Sequence, residues 1–140
     1  MSEPAAGAPG GWAVTAIDRL GDGPGFRKVR EAVGLSAFGA NAIVLPPRWE
    51  TAAHYHDRQE ELYFVHRGPV EFSFDEGPWE RLDSGGLARV APAVARRMRN
   101  PEEREAVVLI AGADGGYVGR DGHLLEGQTR GGGPLDADGA

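Results

Sequence analysis

His54 and His56 stand two residues apart, and Glu61 follows closely, in the run His-Tyr-His-Asp-Arg-Gln-Glu-Glu-Leu-Tyr-Phe-Val-His-Arg-Gly at 54–68. Side chains alternate across a strand, so the two imidazoles point to one side. With the Glu61 carboxylate they compose a facial triad of the kind that holds Fe(II), Mn(II), Ni(II) or Zn(II). Such a metal is a Lewis acid toward a carbonyl or enolate oxygen, or activates oxygen. Without a metal, the same histidines are hydrogen-bonding or acid–base groups. Tyr63, inside the apolar run Leu62 to Val65, is a second proton-bearing candidate; its other role is an aromatic filling the interior.

The elements that must position these residues are short and β-like. Val70, Phe72 and Phe74 alternate with Glu71, Ser73 and Asp75, the pattern of a half-buried strand. Ala106 to Ala111 is a continuous apolar run suited to a central strand. Further strands are expected at 12–20, 26–33, 38–45, 51–56, 61–66, 79–82, 87–90, 96–100 and 117–119, separated by Gly, Pro and Asp. Only 30–35 and 58–61 are candidates for a helical turn. About ten short strands with frequent turns indicate an all-β barrel or double-sheet jelly roll. The Pro/Gly-rich segments 1–11 and 127–140 read as disordered, which leaves a single domain at 12–126.

Composition narrows the function classes. The formal charge is −6, with 21 acidic against 15 basic residues, which argues against nucleic acid or an anionic membrane as partner. A small-molecule substrate or ligand fits better. There is no cysteine, which excludes disulfides, thiolate ligands and thiol catalysis. The N-terminus has neither the basic nor the apolar region of a secretory signal, and no apolar run is long enough to span a bilayer. The default expectation is a cytoplasmic protein.

His54-x-His56, four residues, Glu61, six residues and Gly68 resemble the first motif of the cupin superfamily. Gly86, Pro92 and Arg-Arg-Met-Arg-Asn-Pro at 96–101 resemble the second motif in part. The resemblance implies a cupin jelly roll, a homodimer and a metal on His54, His56 and Glu61. Residues 12–20 are the candidate strand for pairing with a second subunit. The resemblance also places Glu61 inside and Glu60 at the rim. Three departures stand out. Arg48 replaces a glycine expected six residues before His54, so the turn chemistry there should differ. The second motif lacks its glycine between Pro92 and the ligand position. Its fourth ligand, a histidine in the family, falls on Arg96, or on Arg97 if the motif is anchored at Pro92; strand alternation points Arg96 inward with Met98 and Asn100.

A guanidinium stays protonated and has no lone pair to offer a metal. Two readings follow. In one, three ligands hold the metal and Arg96 neutralises anionic charge in an enzyme of the cyclase, isomerase, lyase or dioxygenase type. In the other, Arg96 pairs with Glu61 and replaces the metal, leaving a metal-free binding module or an acid–base enzyme. His66, His123, Arg48 and Arg97 are expected outside the site.

Overall fold

In a computed structural model, residues 10–135 are described; the disorder expected at 1–9 and 136–140 lies outside them. The strands are β1 (Gly25–Arg27), β2 (Gly39–Leu45), β3 (Trp49–Glu50), β4 (His54–His56), β5 (Glu60–Arg67), β6 (Val70–Phe74), β7 (Glu80–Leu82), β8 (Leu87–Val90), β9 (Arg96–Asn100), β10 (Ala106–Ala113), β11 (Gly122–Leu124) and β12 (Gly133–Pro134). They form two antiparallel sheets. One runs β1-β2-β10-β5-β8. The other runs β11-β4-β9-β3-β12, with β6 also pairing β9 and β7 pairing β6. This is the all-β jelly roll expected.

The apolar run at 106–111 becomes the centre of β10, flanked by β2 and β5. Ile43, Leu45, Tyr63, Val65, Val70, Phe72, Val90, Met98, Ala106 and Val108 fill the space between the sheets. Alternation along β9 buries Arg96, Met98 and Asn100 and turns Arg97 and Arg99 outward, where both guanidiniums lie over the Trp79 ring. Asn100 closes one end of the barrel. Its Nδ2 donates to the carbonyls of Pro46 (2.9 Å) and Arg104 (2.8 Å), and its Oδ1 accepts from the Glu102 N–H (3.0 Å).

Several local expectations are corrected. Residues 12–20 carry no strand; a 3-10 turn at Ile17–Arg19 occupies part of the segment, and no neighbouring strand offers it a ladder. The helical turn in the 30–35 region forms as α1 (Val29–Val33), and its C-cap Gly34 has φ 72°. No helix forms at 58–61, because the Asp121 carboxylate takes the N–H groups of Arg58 and Gln59 and Glu60 opens β5. The strand expected at 117–119 lies instead at β11. Arg48 adopts φ 53°, the left-handed conformation that a glycine favours. Its N–H donates to the Glu102 carbonyl and its Nη1 to the Pro101 carbonyl, which holds an arginine in a conformation it adopts at a cost.

The segment from 127 also differs from the disordered tail expected. β12 pairs with β3, Trp49 Nε1 donates to the Gly131 carbonyl at 3.0 Å, and Gln128 Oε1 accepts from the Ala53 N–H at 3.1 Å. Gly132 has φ 77°, and a Cβ there would collide with the Glu50 carbonyl. Glycines that read as disorder in composition here permit close backbone packing against the strands that precede the histidines.

Candidate metal centre

The two sheets meet over the predicted triad. β4 supplies His54 and His56 from one sheet, and β5 supplies Glu61 and Tyr63 from the other. β9 places Arg96 directly beside His54 in register. The two imidazoles stand edge to face with centroids 5.1 Å apart. One ligand atom from each of His54, His56 and Glu61 lies within 4.8 Å of the others. Glu61 is buried, while Glu60 sits at the surface paired with Arg89 at 2.8 Å.

His56 is held from behind. Its Nδ1 lies 2.7 Å from Asp121 Oδ1, a residue 65 positions away on the approach to β11. The same carboxylate accepts from the N–H groups of Arg58 (2.8 Å) and Gln59 (3.1 Å) and from Gln59 Nε2 (2.6 Å). With Nδ1 donating to Asp121, the other ring nitrogen, Nε2, presents a lone pair. That atom is buried, has no hydrogen-bond partner, and faces Glu61 Oε2 at 3.4 Å. Two acceptors held this close require a positive particle between them, a proton or a metal ion. Ligand atoms on a tetrahedral metal, with bonds of about 2.0–2.2 Å, stand about 3.4 Å apart. The donor set and the orphaned nitrogen therefore fit a divalent transition metal.

Glu61 is fixed by a second contact, the Tyr63 hydroxyl donating to Oε1 at 2.6 Å. The Tyr63 ring packs edge to face on Phe72. Arg96 is almost wholly buried. Its terminal nitrogens donate to the carbonyls of Ala91 (3.0 Å) and Pro92 (3.3 Å), and its Nε, which has no hydrogen bond, lies 3.8 Å from Glu61 Oε1. Arg96 is thus a fixed positive charge anchored to backbone, and its fork is not free to swing.

These contacts set the protonation states. Burial lowers the pKa of His54, and the charges of His56 and Arg96 lower it further against the pull of Glu61. Burial also works against charged His56, but Glu61 and Asp121 outweigh it and raise its pKa. For Glu61, burial is outweighed by the adjacent His56 ring, the hydrogen bond from Tyr63 and the charge of Arg96, so its carboxyl stays below the ordinary value. Burial and the Glu61 charge push the Tyr63 phenol well above 10, keeping it a donor.

All five predicted site residues, His54, His56, Glu61, Tyr63 and Arg96, come together. Asp121 was not foreseen; the only local signal is an Asp-Gly pair ahead of His123. His123 lies on β11, exposed, with Nε2 2.8 Å from Asp57 and its ring stacked on Tyr55. Tyr55 points away from the histidines into an open crevice of about 390 Å3, lined also by Asp75, Glu76, Ala93, Ala95 and Leu125. None of the five site residues borders it.

A family model of the cupin domain matches residues 42–112, half of the chain. The chain belongs to the cupin family. No curated relative matches it. Among solved structures it resembles a conserved protein with a double-stranded β-helix domain from Klebsiella pneumoniae, with TM-score 0.65, 18% identity, and 81% of this chain and 96% of that one covered. It also resembles a protein from Acidithiobacillus ferrooxidans predicted to be a sugar phosphate isomerase (TM-score 0.56, 25% identity, 62% of this chain). A third likeness is the Cnp3 cupin domain of Schizosaccharomyces pombe (TM-score 0.52, 14% identity, 56% of this chain). The alignment spans 56% of the length of each of the latter two. Among the described residues, no helix is long and apolar enough to cross a membrane.

Proposed function

We propose that the chain is a small-molecule enzyme whose site lies between the sheets, with a divalent transition metal on His54, His56 and Glu61. One observation carries the reading. The buried Nε2 of His56 lacks a hydrogen bond and confronts Glu61 Oε2 at 3.4 Å, while Nδ1 is committed to Asp121. Bound there, a metal supplies Lewis acidity toward a substrate oxygen. Tyr63 keeps the Glu61 carboxylate oriented, and the low pKa of His54 keeps a lone pair available on its imidazole. Arg96 adds a fixed positive charge that favours an anionic substrate and neutralises charge developing on an enolate. An isomerase or lyase type of reaction fits that arrangement, and a likeness to the predicted sugar phosphate isomerase supports it. The test is metal analysis of protein purified without chelators, with thermal unfolding in added Mn, Fe, Ni and Zn. Less than a tenth of an equivalent of every metal, with no rise in melting temperature, refutes the reading.

A second reading has its own observation. Arg96 Nε lies 3.8 Å from Glu61 Oε1, so a cation already stands beside the carboxylate. In that case a proton occupies the space between His56 and Glu61, and His56 is the acid–base group. Turnover that disappears on substituting His56, in protein that binds no metal, distinguishes this case.

A further inference from the structure

Four N–H donors converge on the two oxygens of Asp121: His56 Nδ1, the backbone amides of Arg58 and Gln59, and Gln59 Nε2. Only an ionised carboxylate, which accepts on both oxygens and donates on neither, satisfies all four. The adjacent Gly122 pairs with His56 across β4 and β11. A Cβ at Gly122 would stand 3.2 Å from the His56 ring, so the missing side chain lets the imidazole lie over the backbone. We propose that Asp121, with Gly122, is a positioning residue that fixes His56 in its Nδ1–H tautomer and aims the Nε2 lone pair between His54 and Glu61.

The tautomer follows from the donor count. Neutral imidazole carries one N–H, and Asp121 presents only lone pairs to Nδ1. Had the proton sat on Nε2, the buried Nδ1 lone pair would face a carboxylate oxygen at 2.7 Å, a repulsive contact between two acceptors. Asp121 also ties the start of β5 to the same oxygens, so one carboxylate sets both the ring that faces the site and the turn that leads to Glu61. The consequence for metal affinity rests on the metal reading above; the tautomer does not.

Asp121→Asn separates the two. Its single carbonyl oxygen is claimed by the backbone amides of Arg58 and Gln59, which turns the NH2 toward His56. Nδ1 must then accept, and the proton moves to Nε2, where it blocks coordination. The measurement is the long-range 15N–1H correlation of the His56 ring in metal-free protein at alkaline pH, where the imidazole is neutral. The wild type is expected to show Nδ1 protonated and the variant Nε2 protonated. Zinc titration of the same samples should show affinity reduced about 10- to 100-fold in the variant. An Nε2–H tautomer in the wild type overturns the proposal without recourse to any variant. So does an Asp121→Asn protein that folds and keeps both the wild-type tautomer and its zinc affinity. If the wild type binds no zinc but shows the Nδ1–H tautomer lost on substitution, the positioning role stands and the metal reading alone fails.

Discussion

Asn100 and the His56–Glu61–Arg96 group are both polar clusters sealed inside the barrel, and they are provided for in opposite ways. Asn100 donates to two backbone carbonyls at hydrogen-bond distance and accepts from the Glu102 amide, so it closes its end of the barrel with its donors and acceptor engaged. In the other cluster, His56 Nε2 and Arg96 Nε are buried without a hydrogen bond. Buried polar atoms in folded proteins are nearly always satisfied, and a gap in that rule asks for an explanation such as a missing ion or a catalytic role. Packing alone accounts for the first cluster. The second makes sense if the fold keeps room for something that arrives later.

The largest expected effect breaks the satisfied side. Asn100→Ala strands the Pro46 and Arg104 carbonyls and the Glu102 amide, and should cost on the order of 3 kcal/mol. Chemical denaturation checks it, and metal uptake per folded molecule should be unchanged. On the other side, Glu61→Gln should cost less in the metal-free protein. It should abolish the gain from added metal, which amounts to about 2.7 kcal/mol at a concentration a hundredfold above Kd. Thermal unfolding with and without zinc reads both quantities. Next, Arg96→His removes the fixed charge and offers a lone pair beside His54, so metal affinity measured by calorimetry should rise at least tenfold, about 1.4 kcal/mol.

The smallest effect is the pH dependence of the metal-free protein. Glu61 is held below its ordinary 4.5. Asp121 is held below its ordinary 3.8: burial opposes this, but hydrogen bonds from Gln59, Arg58 and His56 prevail. A carboxyl lowered in the fold stabilises fully above its unfolded pKa and loses that contribution as pH falls through the folded value. The melting temperature should therefore drop as pH goes below 4.5, and Glu61→Gln should make that acid limb shallower. His54, lowered, and His56, raised, act in opposite directions around 6.5 and should largely offset one another there.

What could be read from the chain was whatever depends on neighbours in sequence. Alternation along 70–75 and 96–100 and the apolar run at 106–111 place side chains on faces by geometry alone, and those strands lie where periodicity puts them. The triad was legible because two of its members share one short strand and the third is the second residue of the next long one. Asp121 was not, because a contact spanning 65 residues leaves no periodic trace. Whether Arg96 would swing or stay depended on the Ala91 and Pro92 carbonyls, which the pattern of residue types does not reveal. The segment 12–20 has strand-like residues but meets no strand edge among the described residues of its own chain, and propensity without a partner does not make a strand.

The glycine-rich stretch after Gly127 has a practical consequence for anyone trimming the protein. Ending the polypeptide at residue 126 would remove the acceptor for the Trp49 indole, the acceptor for the Ala53 amide and β12, which pairs with β3 on the side away from β9. Ala53 immediately precedes His54. Such a shortened version should melt at a lower temperature and bind ligands less tightly, although every residue of the triad would still be present.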